Sequence, residues 1–118
     1  MNGFDSNDFS TPDEVRRPDK TTIEVAKVAG GEIGRYTFQP GWKWSECIKP
    51  VAGTDTCQTD HLGYVVSGRL YVECDDGSTD EMGPGTVYRI PPGHDAWVIG
   101  DERVVLVEFQ GARDYAKG

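Results

Sequence analysis

Basic residues are in short supply in this chain. Twelve lysines and arginines face 20 aspartates and glutamates, which leaves a formal net charge of -8 over 118 residues. An acidic domain without a basic stripe repels phosphate backbones, which argues against nucleic acid as a partner. Arg16-Arg17 is too short to make a basic patch. Cysteine is scarce and odd in number, at Cys47, Cys57 and Cys74. That argues against a disulfide framework and for a reducing, cytoplasmic setting. No apolar run is long enough to span a membrane. The opening stretch MNGFDSNDFSTPDEVRRPDK lacks the apolar core of a signal peptide. Heptads, internal repeats and long helical periods are missing too, and alanine and leucine are sparse.

Fifteen glycines and seven prolines stand against these absences, many of them at turns. Between them lie short apolar segments of period two, the mark of half-buried strands. Thr21 to Val28 sets Ile23 and Val25 against Thr22 and Glu24, and Glu32 to Phe38 puts Tyr36 and Phe38 on one face. Pro40-Gly41 turns the chain. Trp42-Lys43-Trp44-Ser45-Glu46 then reads as a strand with two indoles and a carboxylate on one face, because side chains two apart share a face. Cys47 to Thr56 reads as a loop. His61 to Ser67 and Arg69 to Asp75 flank Gly68 as a hairpin or a sharp bend, and Asp76-Gly77 is a hairpin turn. Ser78 to Met82, Thr86 to Ile90, Ala96 to Ile99 and Val104 to Phe109 are further strands, separated by Gly83-Pro84-Gly85, Pro91-Pro92-Gly93 and Gly100-Asp101-Glu102. Many short strands at short, regular spacing make an all-β sandwich or barrel. Residues 1–19 read as a flexible or arm-like segment with Phe4 and Phe9 as its aromatic groups, 20–110 as the all-β domain, and 111–118 as a C-terminal tail holding a helical turn at most.

The turn spacing resembles the cupin family. In that family one motif runs Gly, five residues, Pro-x-Gly, two residues, His, three residues, Asn. Gly85, Pro91 and Gly93 match it, while Ala96 stands at the His position and Gly100 at the Asn position. The other motif runs His-x-His, a short spacer, Glu, six residues, Gly. Counting back from Gly68 puts His61 at the Glu position, Cys57 at the second His and Asp55 at the first. Pro40 to Trp44, Ser67-Gly68-Arg69 and Trp97 look like those of small single-domain bacterial cupins. The resemblance implies a cupin-type double-stranded β-helix, or jelly-roll barrel, over residues 32–110, with a small-molecule pocket that in the family holds a divalent metal. It also implies a homodimer.

The scaffold residues of the pattern are kept here and its metal ligands are changed. Asp55, Cys57 and His61 share parity along an extended chain, so all three are candidates for one transition-metal site, with His94 or Cys47 as replacements for the ligand missing at Ala96. Each has a plainer reading. Asp55 suits a turn, Cys57 and Cys47 suit buried thiols, His61 suits a hydrogen-bonded core position, and His94-Asp95 suits a solvated turn. Trp42, Trp44, Tyr64 and Trp97 are the expected lining of the pocket, with Glu46 as its polar group. Three functions follow. One is a small-molecule-binding cupin, or a metal-independent isomerase, cyclase or hydrolase using His61 and Glu46, with Cys57 as a nucleophile if a third group orients the pair. The second is a metal-dependent dioxygenase or lyase with an atypical Cys57/His61 site. The third is a non-catalytic ligand-sensing module.

Overall fold

The structure is a computed structural model and describes residues 3–113, Tyr115 and Ala116. Among the described residues nine strands and two short helical turns follow one another: β1 (Glu14–Arg16), β2 (Thr21–Val28), β3 (Gly31–Phe38), α1 (Trp44–Cys47), α2 (Lys49–Ala52), β4 (His61–Ser67), β5 (Leu70–Cys74), β6 (Thr79–Met82), β7 (Val87–Ile90), β8 (His94–Val98) and β9 (Val104–Gln110). They form a six-stranded sheet in the order β1-β2-β3-β9-β4-β7 and a three-stranded sheet in the order β6-β5-β8. All named pairs are antiparallel. This is the expected all-β jelly-roll architecture, with the core between the two inner faces.

The period-two segments generate that core directly. Ile23 and Val25 of β2, Tyr36 and Phe38 of β3, Val65 of β4, and Val104 and Leu106 of β9 are buried on one side. Leu70 and Val72 of β5, Met82 of β6, and Ala96 and Val98 of β8 are buried on the other. Each large apolar side chain so buried stabilises the fold by roughly 1.5–3 kcal/mol. Phe38 stacks on Trp42 at 3.8 Å between ring centroids. The Trp42 indole N–H donates to Thr21 Oγ1 at 2.9 Å, so even this buried polar atom is satisfied.

Four expectations are narrowed or changed. Of the hairpin or sharp bend expected at Gly68 the structure has the bend, because β4 pairs with β7 and β9 whereas β5 pairs with β6 and β8. Gly68 is the bend that carries the chain from one sheet to the other. Its φ is +79°, and a Cβ there would lie 2.5 Å from the Arg103 carbonyl. The β5–β6 hairpin forms as expected, but of its two central residues only Gly77 has positive φ. The turn is thus a type I turn closed by Gly77, with its N–H donating to the Cys74 carbonyl at 2.9 Å. The third change is at the N-terminus, where Glu14–Arg16 is not part of a free tail but pairs with Ile23–Val25 as the outer strand of the larger sheet.

The fourth change bears on the site. Trp44 to Glu46 is helical rather than extended. Gly41, at φ +88°, turns the chain, and the Cys47 and Ile48 amides donate back to Lys43 and Trp44. Trp44, Cys47 and Ile48 are all buried, and their i, i+3, i+4 spacing is that of one helical face. The side chain of Asp95 on β8 accepts from the Ser45 amide at 3.1 Å, capping a turn whose own N-cap residue, Lys43, offers no side-chain acceptor.

Candidate functional site

The site is assembled by a contact between a loop and a strand end. Cys57 forms an isolated antiparallel bridge with His94, at the start of β8. The Cys57 amide donates to the His94 carbonyl at 2.8 Å, and the Gly93 amide donates to the Cys57 carbonyl at 2.7 Å. His61 opens β4 facing inward. Cys57, His61 and His94 are buried, and each offers one ligand atom within 4.8 Å of the others. The Cys57 thiol lies 3.5 Å from His61 Nε2. The two imidazoles meet edge to face at 5.1 Å.

Both imidazoles are held from behind. His61 Nδ1 lies 2.5 Å from Glu108 Oε1, and Glu108 is itself buried on β9. The Tyr88 hydroxyl donates to the other oxygen of Glu108 at 2.6 Å. Gly63 makes room for that tyrosine, since a Cβ there would lie 2.7 Å from the Tyr88 hydroxyl. His94 Nδ1 lies 2.8 Å from the Pro91 carbonyl. A carbonyl can only accept, so the His94 proton sits on Nδ1 and its Nε2 carries the free lone pair.

Electrostatics follow from this packing. Burial opposes the Cys57 thiolate, but the His61 ring at 3.5 Å and then the neighbouring His94 ring outweigh burial and pull its pKa down to about 6. Burial likewise opposes a charged His61, but the Glu108 carboxylate and then Cys57 push its pKa up to about 10. Burial, then Glu108, raises the pKa of Tyr88 and Tyr36, so both phenols stay protonated.

Two spaces meet here. An inner cavity of about 20 Å³ is bounded by Tyr36, Phe38, Trp42, Trp44, His61, His94, Glu108 and Tyr115, with Leu70, Ile90, Ala96 and Leu106. An outer groove of about 390 Å³ is bounded by Trp44, Ile48, Ala52, Thr54, Cys57, Gln58, Thr59, Asp60, Gln110, Gly111, Tyr115 and Ala116. Trp44 and Tyr115 border both. Tyr115 stacks on Tyr36 at 4.8 Å and meets His61 edge-on at 5.3 Å. The C-terminal segment carrying it is tied down by Arg16 of β1, whose guanidinium donates to the carbonyls of Ala112 at 2.7 Å, Tyr115 at 2.5 Å and Arg113 at 3.3 Å.

Of the residues expected from the sequence, the structure brings Cys57, His61 and His94 together. His94 is a buried strand residue, not a solvated turn. Asp55 is fully exposed and pairs with Lys49 at 3.5 Å, outside the site, because its segment loops away before Cys57 docks. Cys47 is buried on α1, where its thiol faces Asp19 at 3.9 Å. Glu46 is exposed on the helical turn, so no acid–base pair with His61 is assembled. Trp42 and Trp44 do line the interior. Tyr64 and Trp97 do not. On β4 the inward residues are His61, Gly63 and Val65, which turns Tyr64 outward. On β8 they are His94, Ala96 and Val98, and Trp97 instead stacks on Tyr71 at 4.8 Å. Sequence reasoning does not reach Glu108 or Tyr115. For Glu108 the signal was present, since a carboxylate shares parity with Val104 and Leu106 on an apolar strand.

No family model matches the sequence, and no curated protein matches it. Solved structures do match in shape. A protein of unknown function from Rhizobium leguminosarum bv. viciae 3841 is 23% identical with a TM-score of 0.61, over 92% of this chain and 93% of that one. KdgF from a Halomonas species is 19% identical with a TM-score of 0.58, over 83% of this chain and 87% of its own. A cupin-2 domain protein from Rhodospirillum rubrum is 15% identical with a TM-score of 0.56, over 89% of this chain and 65% of its own. These likenesses establish that the chain has the fold of the small cupins.

Proposed function

We propose that the protein binds one first-row divalent metal, zinc or iron, through Cys57 Sγ, His61 Nε2 and His94 Nε2, and acts there on a small molecule. The observation that carries this reading is the orientation of the two imidazoles. Each has its Nδ1 tied, to Glu108 in one case and to the Pro91 carbonyl in the other, so that the opposite nitrogens converge with the thiol. Metal-ligating histidines are held in this way, with a carboxylate or carbonyl behind each ring. A thiolate with two imidazoles is a donor set that suits zinc and iron, and three protein ligands leave one position open. A metal held there would supply Lewis acidity towards an oxygen of the bound molecule. The chain's own residues would do the rest. Glu108 balances the charge of His61, Trp44 and Tyr115 keep bulk water from the ligands, and the outer groove receives the molecule. A reducing compartment such as the cytoplasm suits the free thiol at Cys57, and a homodimer is the assembly we expect.

The test is elemental analysis of purified, untagged protein that has seen no chelator. About one metal per chain is expected, falling to near zero in His94→Ala and in Cys57→Ala. Stoichiometric metal retained in both variants would sink the assignment.

One observation favours a second reading. Cys57, His61 and Glu108 stand in the order of nucleophile, base and orienting carboxylate. Here the purified protein is metal-free, and Cys57 is a thiolate at neutral pH. Its absorbance near 240 nm is lost as pH falls through about 6, and is absent from Cys57→Ser at every pH.

A further inference from the structure

Among the described residues two buried side-chain polar atoms have no hydrogen-bond partner of ordinary geometry, the Tyr36 hydroxyl and the Trp44 indole Nε1. Both residues line the same inner cavity, beside His61 and His94. An indole N–H can only donate. The Tyr36 phenol lies near enough to Glu108 to be kept protonated by it and by burial, but it does not reach that carboxylate at hydrogen-bonding distance and angle, and Glu108 already takes His61 on one oxygen and Tyr88 on the other. A buried donor left unmade costs about 1–3 kcal/mol, and native proteins keep few of them without a reason.

The sizes of the two spaces say what could satisfy them. The inner cavity, at about 20 Å³, holds roughly one oxygen atom and little more. The body of a ligand must lie in the outer groove, at about 390 Å³. Trp44 and Tyr115 line both, so the two spaces adjoin at these side chains. Gln58, Thr59 and Gln110 give the groove neutral polar groups, and Asp60 is already paired with Arg89 at 2.9 Å.

We propose that the molecule taken by this site carries an sp² acceptor oxygen, of a carboxylate or a carbonyl, which enters the inner cavity and accepts from Trp44 Nε1–H and Tyr36 O–H while its body lies in the outer groove. Trp44 and Tyr36 are thereby binding residues that select oxo-compounds over amines and hydrocarbons. The proposal rests on the reading above for the location of the site, and its test does not depend on the metal.

Nitrogen-15 spectra of the full chain give one indole cross-peak for each of its three tryptophans, with that of Trp44 identified by its loss in Trp44→Phe. Acetate and acetone are the probes, and isopropylammonium, of similar size and without an acceptor, is the control. With acetate or acetone the Trp44 indole proton should move downfield and saturate, while that of Trp42, already bonded to Thr21, stays in place. Tyr36→Phe should weaken the same titration by about tenfold, the loss expected of one hydrogen bond, with a melting temperature of the free protein no lower than before, because the hydroxyl removed has no partner there. A response to acetate alone assigns a carboxylate ligand, and a response to both assigns the carbonyl oxygen common to them. A Trp44 signal unmoved by either, or moved equally by isopropylammonium, overturns the proposal. The titration is run on protein as purified and after chelation. A shift in protein that holds no metal as purified removes the metal reading alone, and metal retained as purified without a shift before or after chelation removes this proposal alone.

Discussion

Glu108 is the side chain on which the site depends most. It is a buried carboxylate with one oxygen on an imidazole and the other on a phenol. A charge in that position is tolerable only because each oxygen is hydrogen-bonded and His61 compensates it. Glu108→Gln keeps the shape and removes the charge. Metal affinity should then fall by about 10–100-fold, the range for losing a carboxylate behind a ligating histidine. Competition with a chromophoric chelator measures it, and near-UV circular dichroism shows that packing is retained. Unchanged affinity would mean that Glu108 is a packing residue only. Cys57 and His61 were legible in the sequence because parity and turn spacing place them on one inward face, and parity with Ala96 marked His94 as well. Glu108 lies on β9, outside both motifs, so motif spacing does not point to it. Glu46 and Asp55 fall away from the site because strand parity does not run through a segment that is helical at Trp44–Cys47 and looped at Asp55.

At the level of elements, period-two alternation made the long strands plain, and it failed where an element is short or held from outside. β1 is three residues long and polar but for Val15, too brief for any period to show. It exists because it pairs with β2, and it matters because it carries Arg16. That guanidinium is buried and donates to three carbonyls of the C-terminal segment, which presses Tyr115 against Tyr36 and His61. Two distant ends of the chain thus meet where cavity and groove adjoin, a contact that no local pattern announces. Arg16→Ala strands those carbonyls. A charged hydrogen bond contributes about 1.5–3 kcal/mol, so the loss should first appear as local opening of the segment. Hydrogen exchange is the measurement. The Tyr115 amide, bonded to the Gly111 carbonyl at 3.1 Å, should exchange at least tenfold faster in Arg16→Ala, while amides of β2 and β3 keep their protection. Arg16→Lys should restore part of the effect. Uniform acceleration across the molecule would instead make Arg16 a support of the whole fold.

On the scale of the whole molecule, charge and apolar surface pull in different directions. Each chain carries a formal charge of -8, which keeps copies apart unless they meet on a neutral face. The outer face of β4, β7 and β9 is such a face. Leu62, Tyr64 and Val66 point outward from β4, Val87 from β7 and Phe109 from β9, and Val87 is 75% exposed. Register joins them into one patch, since Tyr64 stands opposite both Val87 and Val107. The charges bordering it, Arg89 and Asp60, already neutralise each other at 2.9 Å. Moreover β7 is the edge strand of the larger sheet, and an edge is a ready place for a second chain to pair. A second copy related by a two-fold axis would cover patch and edge together, and a symmetric pair is the commonest closed assembly. We therefore expect light scattering at micromolar concentration to give the mass of two chains. Val87→Glu should give one, since it adds a charge at the centre of the patch without touching the core. A single-chain mass for the unaltered protein would refute the dimer, and a two-chain mass in Val87→Glu would move the interface off this face.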